Sequence, residues 1–157
     1  MKTICQSALV LFCLITTSAL HAANPPGWTD DFEKAAAKAK EEGKAVLLDF
    51  TGSDWCGFCM ALDKEVFDSS KFRSWAKKNA VLVKVDFPKN KRLSPKTKEQ
   101  NDELKKKFPF NGYPTITIVD AEGKALGSKS GYRPGSGPAE YIKALDDILK
   151  KGASAAR

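Results

Sequence analysis

The chain has 157 residues, 42% of them hydrophobic and 29% charged, with 26 basic and 19 acidic side chains. That length suits one globular domain with a proper core and is too short for two of ordinary size, and the composition excludes a disordered tail. Four cysteines and one histidine would invite a metal site or a two-bridge scaffold, but their positions change that count. Cys5, Cys13 and His21 all fall in Met1 to Ala22. There Lys2 gives a short positive start, Ile4 to Ile15 is mostly apolar, and Thr16 to Ala22 turns small and polar. This is a signal-peptide pattern over residues 1–22, with cleavage expected after Ala22, and it is too short for a comfortable membrane span. The single domain expected over 23–157 keeps Cys56 and Cys59 and no histidine. A His-based triad, an HExxH zinc site and a c-type haem attachment are thereby excluded, and a four-ligand Cys/His site lacks ligands. No cofactor or metal is called for. Export places the domain where disulfides form and must be managed.

Without the leader the chain carries 25 basic and 19 acidic groups, a formal +6, and much of the excess lies in Pro88 to Lys107. A basic field can hold nucleic acid. This stretch has no interleaved aromatics and belongs to an exported protein, so it is read as a solvated helix face with no nucleic-acid partner.

In chain order, Asn24 to Gly27 is an unstructured lead-in, and Trp28 precedes the first helix. Asp30 with Glu33 resembles a capping box, Phe32, Ala35, Ala36 and Ala39 form an apolar stripe, and Gly43 is a stop, predicting a helix over Asp31–Glu42. Ala45 to Phe50 is an apolar run of strand length, as expected of a central strand buried on both faces, and Asp49 is the anomaly in it. A turn over Thr51–Asp54 leads to a helix from Cys56 to about Val66. A short helix from Ser69 or Ser70 to Lys78 precedes a strand over Val81–Phe87. A helix over Pro95–Lys107 follows, and Phe108 to Gly112 breaks it. Thr115–Val119 is β-branched and strand-like, Asp120–Gly123 is a turn, and Ala125–Ser130 is the hairpin partner. The last helix runs over Ala139–Lys150 on the stripe Tyr141, Ile142, Leu145, Ile148 and Leu149, with a fraying tail from Gly152. Helices on both faces of a mixed sheet, an α/β fold, accommodate this order.

The chemistry gathers at Thr51-Gly-Ser-Asp-Trp-Cys-Gly-Phe-Cys-Met60. A Cys-x-x-Cys opening a helix after a buried strand places the first sulfur by unpaired helix N–H groups, which favour its thiolate. Cys56 is then the nucleophile on a substrate disulfide, and Cys59 resolves the mixed disulfide. A static bridge closing so small a loop would add little stability. Trp55 can pack in the core or shield the thiolate and offer an apolar surface to substrate. Gly57 and Phe58, between the cysteines, carry no charge, and Phe58 adds an apolar contact. Asp49, buried and raised in pKa, can exchange a proton with Cys59; the alternatives are solvation at a strand edge or pairing with Lys84. Tyr113 and Pro114 enter the third strand, where a cis bond would leave Tyr113 free to pair with an extended substrate; from the residues alone, trans is the ordinary geometry.

Trp55-Cys56-Gly57-x-Cys59, Asp49-Phe50 and Tyr113-Pro114-Thr115 together resemble the thioredoxin superfamily. The resemblance implies a thioredoxin-like fold from Trp28 to about Lys151, a cis Pro114 facing the cysteines and Tyr113 as a substrate contact. Phe50 to Cys56, Val85 to Pro88, the lysine-rich insertion and Asp120 to Lys124 are similar to exported thioredoxin-like disulfide reductases. That similarity implies a periplasmic monomer acting on disulfide-containing exported proteins, with a DsbD-type membrane transporter as electron donor. Three departures stand out: Phe58 replaces the usual proline, one extra residue separates Asp49 from Cys56, and Lys89–Lys107 is inserted. The resulting expectation is an exported thiol–disulfide oxidoreductase biased toward reduction. Disulfide isomerase or oxidase is the alternative within the same chemistry. A non-catalytic binding or chaperone module is the alternative from another class, and the intact cysteine pair argues against it.

Overall fold

The computed structural model describes residues 24–155, so the expected leader and its cleavage site lie outside the described residues. A five-stranded sheet is ordered β1-β3-β2-β4-β5. Its strands are β1 (Trp28–Thr29), β2 (Ala45–Thr51), β3 (Ala80–Asp86), β4 (Thr115–Val119) and β5 (Ala125–Ser130). β1, β3 and β2 run parallel, β4 is antiparallel to β2, and β5 is antiparallel to β4.

All seven residues of β2 are buried. It is the middle strand, hydrogen-bonded on both edges, and its side chains alternate between two cores. Leu47 points into a core completed by Leu62, Val66, Phe67, Phe72, Trp75, Tyr141 and Leu145. Val46, Leu48 and Phe50 point the other way, onto Ala35, Ala39, Leu104 and Phe108. Three of the helices supply those first partners: α2 (Gly57–Leu62, continued by a π-helical turn over Asp63–Phe67), α3 (Ser70–Asn79) and α5 (Gly137–Ala155). The opposite layer is α1 (Phe32–Glu42) and α4 (Pro95–Lys107). The expected α/β arrangement of a mixed sheet between two helix layers is what forms.

Several local expectations are corrected. The cap of α1 is Asp31, whose carboxylate accepts the Lys34 N–H, one residue later than the Asp30 box. Gly43 ends this helix in the left-handed conformation, at φ 63°. Trp28 and Thr29, expected only to precede the first helix, form a strand: they pair with Leu82 and Val83, and the Trp28 ring packs on Phe67 and Phe72. Two residues carry no strand periodicity, so only the tertiary docking of Trp28 selects this conformation.

The helix after Cys59 also departs from a regular 3.6-residue pattern, because its π turn lets both Val66 and Phe67 reach the core. The tail does not fray at Gly152; α5 continues to Ala155 with Gly152 buried. The reason is close approach to β5, since a Cβ at residue 152 would lie 2.7 Å from Leu126 Cβ. Gly152→Ala should therefore lower unfolding free energy by about 1–2 kcal/mol, opposite in sign to alanine's intrinsic helix preference of roughly 1 kcal/mol. Urea denaturation reads the sign, and a stabilised variant would show that α5 does not press on Leu126.

Candidate active site

Strand β2 ends at Thr51, and the chain must turn at once to start α2. The Gly52 carbonyl accepts the Trp55 and Cys56 N–H groups at 3.2 and 2.9 Å, closing that turn. A Cβ on Gly52 would fall inside the Trp55 indole, so only glycine lets the ring fold back over the turn. The turn is held from outside by two carboxylates. Asp86, at the end of β3, accepts the Ser53 N–H and Oγ–H at 2.9 and 2.6 Å. Asp54 accepts the N–H groups of Lys89 and Asn90 at 2.9 and 2.7 Å, tying the lysine-rich segment to the residue two before Cys56.

Cys56 is the N-cap of α2, and its sulfur accepts the Cys59 N–H at 3.2 Å. In the reduced protein that N–H faces the Cys56 thiolate and favours it. The two cysteines are joined as a disulfide with their Cα atoms 5.2 Å apart. Cys56 is 6% exposed and Cys59 1%, so the first sulfur is the one an incoming thiol reaches. Around it stand Trp55, Phe58 and Met60, each exposed although large and apolar. Gly57 has open space where a side chain would sit.

The Tyr113–Pro114 peptide is cis, and Pro114 is buried just before β4 begins at Thr115. The Tyr113 ring meets Trp55 edge-on at 5.4 Å and also touches Phe110 and Phe87 at 5.1 and 5.8 Å. Trp55 in turn donates its indole N–H to the Phe87 carbonyl at 2.8 Å. The expected site residues Trp55, Cys56, Gly57, Phe58, Cys59, Tyr113 and Pro114 thus form one neighbourhood, built from the β2–α2 turn, the end of β3 and the start of β4.

Asp49 lies within the buried strand β2. It is 1% exposed, and its hydrogen bond goes to Lys84 at 2.9 Å, not to a cysteine. Its other oxygen has no partner among the described residues. Of the two structural alternatives for Asp49, pairing with Lys84 is present, and complete burial rules out solvation at a strand edge. The register explains it: residues 49 and 84 are direct neighbours across β2 and β3. Burial pushes the Asp49 carboxyl up to about 6 against the pull of the Lys84 ammonium. Burial works to lower Lys84, but Asp49 and Asp63 outweigh it and its pKa rises.

Asp63 was not singled out by the sequence reading. Its carboxylate lies 2.6 Å from the Lys84 ammonium and is one-third exposed, so it forms the outer end of an Asp49–Lys84–Asp63 chain. The sequence does contain the clue: residue 63 is four beyond Cys59 and shares its helix face. The Lys84 ammonium also sits 4.6 Å over the Trp28 ring, which seals the pair from that side.

Among the described residues no three His, Cys, Asp or Glu side chains cluster as a metal site. What the arrangement offers is dithiol–disulfide exchange, with Cys56 the less buried of the two cysteines.

The thioredoxin-like domain family matches residues 32–148. The disulfide bond reductase DsbH of Chlamydia pneumoniae is 34% identical over 121 residues, covering 77% of this chain and 72% of DsbH. A solved structure described as DsbH oxidoreductase superposes with a TM-score of 0.71 at 31% identity, over 85% of this chain and 94% of that one. The thiol:disulfide interchange protein DsbD of Pseudoalteromonas atlantica is 31% identical over 73% of this chain, which spans only 18% of that longer relative. With a matched domain that runs from α1 into α5, the chain belongs to the thioredoxin-like family and is a thiol–disulfide oxidoreductase.

Proposed function

We propose that the protein is an exported, periplasmic reductase of protein disulfides. The observation that carries this reading is the Cys56–Cys59 pair at the start of α2, with Cys56 the less buried of the two and the exposed apolar side chains of Trp55, Phe58 and Met60 near it in the chain. An apolar rim suits extended or unfolded polypeptide, and the Tyr113 backbone, outside the β4 ladder, is suited to pair with such a segment. The likeness to the reductase DsbH supports the direction, and the Met1 to Ala22 pattern supports export.

In the cycle, the Cys56 thiolate attacks one sulfur of the substrate disulfide, forming a mixed disulfide and expelling the other sulfur as a thiolate. Cys59 loses its proton and attacks Cys56, which releases the second substrate thiolate and leaves Cys56–Cys59 oxidised. Substrate gains two electrons and the protein's dithiol loses them. An external dithiol donor restores the pair, and the likeness to DsbD supports a DsbD-type membrane protein in that role. Asp49 accepts the Cys59 proton, with Lys84 and Asp63 leading toward solvent. A monomer suffices for every step.

The direction is tested by equilibrating the pair against glutathione buffers. A potential near about −270 mV is expected of a reductase, whereas one near about −120 mV would make the protein an oxidant and overturn the reading. A Cys59→Ala variant should accumulate mixed disulfides with exported proteins, and Cys56→Ser should form none.

The Asp49 role has its own pH signature. Because its carboxyl is raised to about 6, it is protonated below that pH and cannot take the Cys59 proton. Resolution of a preformed Cys56 mixed disulfide, followed by stopped-flow release of a fluorescent thiol, should speed up through pH 6. In Asp49→Asn that inflection should vanish, with the rate at pH 7 about tenfold or more below the parent. An unchanged profile in the variant removes Asp49 from the step.

A further inference from the structure

The lysine-rich segment is the part of the sequence that the exchange chemistry does not use. It is not remote from that chemistry. Asp54 holds its first two N–H groups, and the Lys89 ammonium lies 4.5 Å over the Trp55 ring. Lys105, on α4, reaches the other side of the aromatic rim, 3.3 Å from the Tyr113 hydroxyl and 5.2 Å over Phe87. Within the segment, Lys96 pairs with Asp31 and Lys98 with Asp102. Lys89, Lys91, Arg92 and Lys105 have no carboxylate at ion-pair distance among the described residues, and all four are exposed.

Between this loop and α4 lies a cleft of about 320 Å³, lined by Phe87, Pro88 and Leu93 with Lys91 and Arg92, and by the self-neutralised Lys98–Asp102 pair. Phe87 is shared: the residue lines the cleft, and its carbonyl holds the Trp55 indole. The cleft therefore begins one residue from the ring that flanks Cys56. An apolar floor with unpaired cations complements a chain carrying an apolar side chain beside carboxylates.

We infer that the cleft between the Phe87–Leu93 loop and α4 docks an acidic, extended segment flanking the substrate's disulfide. This rests on the protein-disulfide reductase reading, and it adds a charge preference that the cysteines cannot supply. Lys89 and Lys105 frame the substrate at the rim, while Lys91 and Arg92 hold its flank farther along. Each contact is exposed and screened, so the preference arises from several cations together and weakens with salt.

Two cysteine-free peptides of equal length, each with an apolar centre and flanked by either Glu or Lys, test docking apart from redox chemistry. In NMR titrations of the oxidised protein at low salt, the Glu peptide should shift Phe87–Leu93 and the first turns of α4. It should bind about tenfold or more tightly than the Lys peptide. Salt of roughly 0.5 M should shrink that ratio below about threefold. The pair K91E/R92E should abolish the preference and K91Q/R92Q should reduce it, so one result stands if charge reversal disturbs the fold. Equal binding of both peptides, or shifts confined elsewhere, overturns the inference, as does polyphosphate producing the same shifts with equal affinity. The same flanks placed around a disulfide separate the two readings. Turnover without charge preference removes this cleft from substrate binding; preference in the titration with no turnover of either peptide refutes the reductase reading and leaves the acidic-segment surface.

Discussion

The structure is organised around a strand that cannot touch water. β2 is buried over its whole length, hydrogen-bonded to β3 on one edge and β4 on the other, with a helix layer against each face. An aliphatic strand in that position is ordinary, but a carboxylate within it carries a desolvation cost that must be offset by a partner. Asp49 meets that demand through Lys84, its neighbour in register, and Lys84 is in turn shared with Asp63 on the helix that follows the cysteines. One ammonium thus links β2, β3 and α2. Removing Asp49 or Lys84 alone leaves the other buried without its main partner, at a cost of about 3–5 kcal/mol for a fully buried pair.

The same geometry separates what must be dry from what must be open. Asp49 is 1% exposed, its Lys84 partner lies over the Trp28 and Phe67 rings, and Cys59 is equally inaccessible. Cys56, one helical turn away, is somewhat less buried at 6%, and the large apolar side chains of Trp55, Phe58 and Met60 near it in the chain are exposed. Their exposure has a structural source. Gly52 lets the Trp55 ring fold back, Phe87 fixes it by its carbonyl, and Tyr113 meets it edge-on, so the apolar rim is rigid without being covered. Preorganised apolar surface of this kind binds extended chains at a lower ordering cost than a mobile loop would.

Much of this was legible residue by residue. The apolar run at Ala45–Phe50, broken only by Asp49, suits a doubly buried strand, and the helix and β-branched periods place most other elements within a residue or two. The cysteine pair could be assigned a chemistry because its spacing and its place after that strand suffice. What escaped was decided by contacts between distant segments. Trp28 and Thr29 become a strand because an indole finds Phe67 and Phe72, and α5 keeps its helix through Gly152 because Leu126 crosses it closely. Asp63 joins the buried acid only because Lys84, 21 residues on, lies across from it.

By itself, the sequence determined the order of elements, the dithiol, the absence of any histidine beyond the leader pattern, and an anomalous carboxylate in an apolar strand. Those properties follow from local periodicity, residue type and spacing. The partner of Asp49, the cis geometry at Tyr113–Pro114, and the placement of the lysine-rich segment beside Trp55 were settled only in three dimensions. Each depends on which strand lies next to which, and strand order is set by the burial of whole faces, a quantity that no local window contains.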